Sequence, residues 1–396
     1  MSPDIVIVGA GPAGLCLART LSGHGLSIVV LERQAEQVLA EPAFDGREIA
    51  LTHGSQALLE RLGLWARLPA EEVAVLRDAQ VFNGPSLFAL KIRADQAGAE
   101  RLGHLVANQA IRRAAYQAVS DCADVQLLCE SSVRAIEQGE REVKLILHDG
   151  QLLQPRLLVA ADSRFSETRR QLGIGAQLKD FGKTMLVCRM QHERDHQQVA
   201  WEWFGYGQTL ALLPMNDDPA TGAHRSCVVL TLPHHALEPL ADMDEAAFGQ
   251  DLTRRFDHRL GAMHLASTRH LYPLVGVRPH RLVAQRFACV GDAAVGMHPV
   301  TAHGFNFGLL GIGTLAGQLR AAQAAGQDIA APDLLARYER AHRHATLPLY
   351  LATTFVARLY TTDHPPARLL RDAALRLAQN FPPFKRMVAA TLSGKH

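Results

Sequence analysis

Three acidic residues close short apolar runs, and each run leads into a turn or loop. Glu32 follows Ser27 to Leu31, Asp162 follows the run LLVAA at 157–161, and Asp292 follows FACVG at 287–291. Ahead of the first acid lies Gly9-Ala10-Gly11-Pro12-Ala13-Gly14, with glycines at G-x-G-x-x-G spacing. That spacing gives each glycine a physical task. Gly9 permits a tight turn, Gly11 lets backbone approach a pyrophosphate, and Gly14 lets a helix pack on a strand. The pyrophosphate would sit at the N-terminus of a helix opening at Pro12, where free N–H groups and the dipole favour an anion. Glu32 would accept from a ribose 2′-hydroxyl and disfavour a 2′-phosphate there, with Arg33 beside it. The chemistry is dinucleotide binding.

These residues need a parallel sheet. Ile5 to Val8, Ser27 to Leu31, 157–161 and 287–290 are apolar runs of the length of buried parallel strands. Between them, a helix is expected over 53–62 after DGREIAL (45–51), and another over 108–119 carrying Arg112 and Arg113 early. Strands follow near 125–129, 133–137 and 142–148. Residues 79–92 read as two strands about a turn at Asn83-Gly84. Residues 180–270 differ in character, with strand-like stretches at 184–190, 200–204, 209–213 and 226–232 and a helix near 244–260. A helix follows from about 304 to 323, then 324–332 as an Ala-rich loop, then helices broken at Pro365-Pro366 and Pro382-Pro383.

The totals bound the partners. The chain has 396 residues, enough for two or three cores at about 100–200 residues per domain. Lys plus Arg is 41 against 39 acids, which carries no nucleic-acid footprint. The six cysteines (16, 122, 129, 188, 227, 289) show no C-x-x-C and no metal spacing, so they are expected to be reduced, with no metal site. The first strand begins by residue 4, leaving no room for a signal peptide, and no uncharged apolar run spans a bilayer. A cytoplasmic protein is expected.

In order along the chain, GAGPAG, ADSRFSETRR (161–170) and GDAAVGMHPVTAHGFNFGL (291–309) resemble the three signatures of the class A flavin-dependent monooxygenases. DGREIAL, ADSRFSETRR and YPLVGV (272–277) are similar to the hydroxylases of ubiquinone biosynthesis, in particular the demethoxyubiquinol hydroxylase type. The resemblance implies a Rossmann-like α/β FAD-binding domain with an inserted, mostly antiparallel β-sheet substrate domain and a C-terminal helical segment, as in para-hydroxybenzoate hydroxylase. The implied division is FAD-binding at 1–75, 101–178 and 273–325, substrate-binding at 76–100 and 179–272, and C-terminal helices at 326–396. It also implies noncovalent FAD, NAD(P)H as transient reductant, O₂ as co-substrate and hydroxylation through a flavin C4a-hydroperoxide. The implied substrate is a polyprenylated phenol or quinol, handled alongside other ubiquinone-biosynthesis proteins at the inner face of the cytoplasmic membrane. Four positions depart from the pattern: Ser163 replaces the glycine of Asp-Gly, Val295 a frequent histidine, Ala302-His303-Gly304 a G-Q-G, and Gly311 an aspartate.

With a flavin in view, the residues acquire roles. Gly291 and Asp292 lead into the flavin loop, and Asp292 is placed to accept from ribityl hydroxyls. Pro299 fixes φ and presents a carbonyl. The helix opening at Gly304-Phe305-Asn306 would set a positive end under the isoalloxazine N1–C2=O edge. Arg47 supplies a cation near the phosphates or ribityl chain, and Asn108, Arg112 and Asp162 complete the expected cofactor set. His298, Pro299 and His303 flank the flavin loop and are the catalytic candidates. None is compelling, since the cofactor does the hard chemistry. Trp201, Trp203, Phe204 and Tyr206, with Tyr272 and Pro273, are expected walls of an aromatic-substrate pocket; the plainer alternative is sheet core.

Gly311-x-Gly313-x-x-x-Gly317 has the wrong spacing for a second dinucleotide site and reads as close helix packing. Three other functions fit parts of the pattern, the first a hydroxylase of a different small aromatic. Trp201-x-Trp203 echoes the W-x-W-x-I-P motif of flavin halogenases, but Phe204-Gly205-Tyr206 replaces its end and the first lysine is Lys91. A non-catalytic flavoprotein assembly subunit is the third. In RLLRDAALRL (368–377) the apolar positions share one helical face and the arginines lie mostly around the other, as in a helix that rests on anionic lipid or in a terminal helix that packs its leucines on the flavin domain.

Overall fold

The computed structural model describes residues 2–394 apart from 85, 87, 206, 298–303 and 362–376, and leaves aside the side chains of 349, 352–361, 382, 384 and 391. Its first sheet has six strands in the order Val283–Ala284, Phe287–Cys289, Leu157–Ala160, Ile5–Val8, Ile28–Leu31, Val125–Leu128. All but the edge pairing of Val283–Ala284 with Phe287–Cys289 are parallel. The apolar runs predict this, because a parallel strand covered on both faces has no solvent side to pattern. Order then does the positioning. Phe287–Cys289, Leu157–Ala160, Ile5–Val8 and Ile28–Leu31 are neighbours, so Asp292, Asp162, the Gly9 turn and Glu32 follow one another along one edge. Strands sit roughly 4.8 Å apart, and ligands of open α/β sheets bind outside the carboxyl ends.

The helices Pro12–Leu21, Asn108–Ser120 and Gly304–Ala324 share the core on one side of this sheet. The sheet's other face packs against a small antiparallel sheet of Val133–Gln138, Val143–Leu147 and Leu152–Leu153.

The second large sheet has eight strands. Its spine is Ala176–His192, which pairs with His224–Leu232 on one side and with Met263–Leu265 and His270–Pro279 on the other. Beyond His224–Leu232 come Thr209–Pro214, Val199–Phe204, and the hairpin Asp78–Asn83 with Ala89–Arg93. Only 184–190 of the 17-residue spine is legible in the sequence. Its first half, AQLKDFGK, is polar, and the register shifts between Asp180 and Thr184 around Gly182, which has φ +65°. Such a bulge breaks the period-2 signal.

The helices His234–Ala241 and Glu245–Arg255 cover one face of this sheet. The helix Pro332–Thr361 runs through Pro348. The expected break at Pro382-Pro383 is the start of the helix Pro382–Ser393, whose Val388, Ala389 and Leu392 pack on the hairpin. A proline is tolerated in a first turn because its missing N–H has no helical partner there. Most of RLLRDAALRL lies outside the described residues.

Candidate active site

The glycines divide by what surrounds them. Gly9 has φ +105°, and a Cβ there would lie 2.7 Å from the Ala161 carbonyl oxygen. A Cβ on Gly14 would collide with the Gly9 carbonyl. Gly11 is different: φ −68° and ψ 172° suit any residue, and a Cβ would meet nothing within 4 Å. The fold makes no demand for glycine at position 11, so the open space beside it is a cradle for a ligand. Pro12 opens the helix. Ala13 presses on Gly291, where φ is +58° and a Cβ would lie 2.6 Å from the Ala13 methyl. Glu32 accepts from the Ala10 N–H at 2.9 Å and the Gln34 N–H at 3.0 Å, so it braces the glycine turn. Arg33 is exposed beside it.

The two aspartates behave differently. Asp162 accepts from the Thr168 N–H and hydroxyl through one oxygen, at 3.1 and 2.9 Å. Its other oxygen is buried without a partner. Ser163 takes the glycine's place at φ +82° and so keeps the backbone shape without the glycine. Asp292 is 39% exposed and accepts at 3.0 Å from Arg164, which also donates to the Val275 carbonyl. Arg164 thus ties the second signature to the third and to the substrate sheet. It stands inside ADSRFSETRR, yet its spacing carries no signal of that role.

Within electrostatic reach of Asp292 lies a node that the sequence only half revealed. Asp45 accepts at 2.7 Å from both Arg47 and Asn108. Burial would raise its pKa, but the Arg47 guanidinium and the Asn108 amide hold the carboxylate below its ordinary range. Arg47 lies 5.4 Å from the centre of the Tyr272 ring, and the Tyr272 hydroxyl donates to the Asp45 carbonyl at 2.6 Å. Asp292 and Arg112 add their charges to Arg47 and Tyr272 respectively. His298, Pro299 and His303 lie outside the described residues. Gly304 opens a 21-residue helix, with space where its Cβ would be. Phe305 packs on the nucleotide-domain core. The Asn306 side chain accepts from the Thr52 N–H at 3.0 Å and donates to the Ala50 carbonyl at 2.7 Å, so it clamps the strand Glu48–Leu51.

The residues fit FAD. The cradle at Gly11 suits a pyrophosphate, and the accessible Asp292 carboxylate, the unpartnered oxygen of Asp162 and the helix opening at Gly304 supply what a polyhydroxyl chain and an anionic ring edge require. Among the described residues, no cluster of His, Cys, Asp and Glu could hold a metal.

The substrate sheet corrects part of the sequence reading. Trp201 and Trp203 do share a face, but it is the face covered by His234–Ala241 and Glu245–Arg255. Trp203 is 7% exposed and donates to the Gly84 carbonyl at 2.7 Å, and Arg259 stacks over its ring at 4.3 Å. Trp203 is core, and the half-buried Trp201 packs against that core. Pro273 is exposed and pairs with Thr184, on the pleat side opposite Tyr272. Tyr206 lies outside the described residues. Phe204 is buried and lies on the sheet face that carries Tyr272.

That second face is the one turned toward the cofactor signatures. Cys227 and Val187 approach Gly46 on it, and Arg189 reaches Glu48 and Glu72 at 2.8 and 2.7 Å. Burial pushes the Glu48 carboxyl up to about 7, against the pull of Arg189. Two cross-strand rows build the platform. One runs Tyr272, Met185, Thr231, Thr209, Phe204; the next runs His270, Val187, Val229, Ala211, Glu202. Met185, Thr209, Ala211, Val229, Thr231 and Glu202 are only half-buried, whereas Leu186, Leu210, Leu212 and Leu230, on the face turned to the helices, are fully buried. An apolar sheet face left half-open toward the cofactor edge is where a ring could lie. Sequence reasoning missed Glu202, the lone acid of VAWEWF, because the tryptophans on either side carry the stronger aromatic signal.

A parallel nucleotide sheet, an open pyrophosphate cradle and a second sheet facing it define a flavoprotein oxidoreductase. Residues 2–348 match the FAD binding domain family, to which the chain belongs. Ubiquinone hydroxylase UbiM of Neisseria meningitidis is 43% identical over 395 residues, 99% of this chain and 84% of that protein. Ubiquinone hydroxylase UbiL of Rhodospirillum rubrum is 34% identical over 384 residues, 97% of this chain and 88% of that protein. Among solved structures, p-nitrophenol 4-monooxygenase PnpA from Pseudomonas putida superposes with a TM-score of 0.79 at 19% identity, covering 100% of this chain and 99% of that one. PqsL of Pseudomonas aeruginosa, described as a probable FAD-dependent monooxygenase, gives 0.76 at 22%, covering 95% and 99%. These likenesses show the para-hydroxybenzoate-hydroxylase type of fold. The chain is an FAD-dependent monooxygenase of the ubiquinone-biosynthesis hydroxylase family.

Proposed function

We propose that this enzyme hydroxylates the aromatic ring of a polyprenylated phenol intermediate of ubiquinone synthesis. The half-open platform beside the Arg47–Tyr272 node is the observation that carries this reading, and the end-to-end likeness to two ubiquinone hydroxylases supports it. Bound FAD would supply the redox chemistry, with two electrons from NAD(P)H, one oxygen atom of O₂ entering the ring and the other leaving as water. The chain's own work is positional. Gly11 and the helix N-terminus at Pro12 would receive the pyrophosphate, Asp292 the ribityl hydroxyls, and Asp45 would hold Arg47 and Asn108 against the same edge. The platform would lay the ring flat and exclude water. The deciding experiment is the quinone profile of a deletion strain with and without this chain supplied. Restored ubiquinone supports the reading; an unchanged block, together with no phenol-dependent NAD(P)H oxidation by the purified protein, overturns it.

The lipid character of such a substrate bears on location. Among the described residues, no helix is long and apolar enough to cross a membrane. Leu377, Phe381 and Met387 are 72%, 58% and 59% exposed, close in sequence to Lys385 and Arg386. We infer that this stretch rests on the cytoplasmic membrane surface, where a basic residue contributes about 1 kcal/mol against anionic lipid. Flotation with anionic liposomes tests it: the full chain should float and the Phe381→Asp/Met387→Asp variant should not. Equal flotation of both assigns the contact elsewhere.

A further inference from the structure

Glu202 is a carboxyl with no evident structural purpose. The strand Val199–Phe204 turns Trp201 and Trp203 into the helix-covered core, so the pleat turns Glu202 onto the platform. Its cross-strand neighbours there are Val81 and Ala211, with Val229 beyond Ala211. None of them can hydrogen-bond a carboxyl through a side chain. Glu202 makes no ion pair or side-chain hydrogen bond among the described residues. Burial alone pushes its carboxyl up to about 8, so at neutral pH the group is mostly an uncharged acid, able both to donate and to accept. An unpartnered polar group in an apolar setting weakens a fold, and a leucine at this register would serve the sheet better. Ala211, opposite, is the smallest side chain in its row.

The cations on the same side are already committed. Arg189 is held by Glu48 and Glu72, and Arg47 by Asp45. Among the described residues of these strands, Arg225, held by Asp218, and Cys227, His270 and Tyr272 are the other titratable groups on this face, and they lie at least two strands from Glu202. Among the described residues of these strands, an aromatic carboxylate would therefore meet no free cation beside Glu202, whereas a neutral ring hydroxyl would meet a hydrogen-bonding partner.

We propose that Glu202 is the polar anchor of the substrate platform, hydrogen-bonding the ring hydroxyl of a neutral phenol and thereby selecting phenols over their ethers and over aromatic carboxylates. This rests on the phenol-hydroxylase reading and names the side chain that would make its substrate choice.

The test is binding to the FAD-loaded enzyme, followed by perturbation of flavin absorbance. The probes are 2-prenylphenol, its methyl ether, and 4-hydroxybenzoate. Wild type should bind the phenol about 10-fold or more tighter than the ether, the scale of one buried hydrogen bond, and should bind 4-hydroxybenzoate weakest. Glu202→Leu should reduce the phenol–ether preference to about 2-fold or less with FAD content unchanged, and Glu202→Gln, which still donates and accepts, should keep it. Ala211→Leu, which sets a bulky side chain directly opposite the carboxyl, should remove phenol binding, which provides an independent check should Glu202→Leu not fold. Wild-type preference with an undiminished preference in Glu202→Leu, or normal phenol binding by Ala211→Leu, overturns the role of Glu202 alone. Wild type that binds neither phenol nor ether overturns the phenol reading and this assignment with it.

Discussion

Gly11 separates what the fold needs from what the ligand needs. Its backbone angles are open to any residue, and a Cβ would meet nothing within 4 Å. Gly11→Val should therefore fold. The position is the N-cap of Pro12–Leu21, where valine is worse than glycine by about 1 kcal/mol. At about 2 cal/mol/K of unfolding entropy per residue, a chain of this length loses only about 1 °C in the melting midpoint of the FAD-free protein. The loss for FAD is much larger. The valine would stand where the pyrophosphate must approach the helix N-terminus, and two charge-assisted hydrogen bonds are worth about 1.5–3 kcal/mol each. Affinity should fall by about 10²–10⁴-fold, at about 1.4 kcal/mol per factor of ten. The assay is titration of FAD-free protein by flavin fluorescence quenching, beside thermal melts with and without FAD. Gly14→Ala, whose Cβ collides with the Gly9 carbonyl, should instead fail at the level of folding. The reasoning fails if Gly11→Val binds FAD within about 10-fold of wild type, or if its FAD-free form unfolds as Gly14→Ala does.

Three further outcomes are expected. Trp203→Ala should cost about 3–5 kcal/mol of stability, as removal of a core aromatic does, while leaving phenol affinity per folded molecule unchanged; a stable variant that loses phenol affinity would return the tryptophan to the pocket. Asp292→Ala should weaken FAD binding far more than Asp162→Ala, whose main effect should be a lower melting point through the lost hold on Thr168; the reverse ranking in FAD titrations contradicts this division between the two aspartates. His342 is buried with both ring nitrogens unpartnered, and burial, then Arg343, lowers its pKa from 6.5 to about 4. The unfolded chain binds the proton first, so stability is full above about pH 6.5 and falls as pH drops toward 4, by about 3 kcal/mol for this residue. His104 and His192 are lowered to about 4 as well, so the wild-type loss should be steep. In His342→Leu the slope between pH 6.5 and 4 should shrink, and an unchanged slope would show that His342 is not the titrating group.

The nucleotide half was legible because its signals are local. Four apolar runs, a glycine spacing and three acids each declare themselves within ten residues, and a parallel sheet needs nothing more to bring them to one edge. The Asp45 node was harder, since Asn108 and Tyr272 come from segments 63 and 227 residues away. The glycine series in the last long helix was half right. Gly311 does face a close neighbour, the His342 ring, whereas a Cβ on Gly313 or Gly317 would meet nothing within 4 Å. Where the aspartate usual at 311 is absent, an imidazole fills the space, a replacement from another helix that no local pattern announces.

The substrate sheet shows where local signals end. Period-2 alternation states which residues share a face, and on that count Trp201 with Trp203 was read correctly. It does not state which face is inward. That choice belongs to His234–Ala241 and Glu245–Arg255, which begin 30 or more residues later and carry the apolar Leu237, Leu240, Phe248 and Leu252 that claim the tryptophan side. Once those helices are placed, the same alternation turns Glu202 toward the cofactor edge. Two large aromatics make a good core because they bury area, and for that reason they were poor evidence for a pocket. The informative residue in VAWEWF is the one whose chemistry the core cannot use. An ionisable group on a half-open apolar face has a physical reason to be there only if something it can hydrogen-bond arrives, and the geometry leaves that arrival to a ring held between the platform and the flavin.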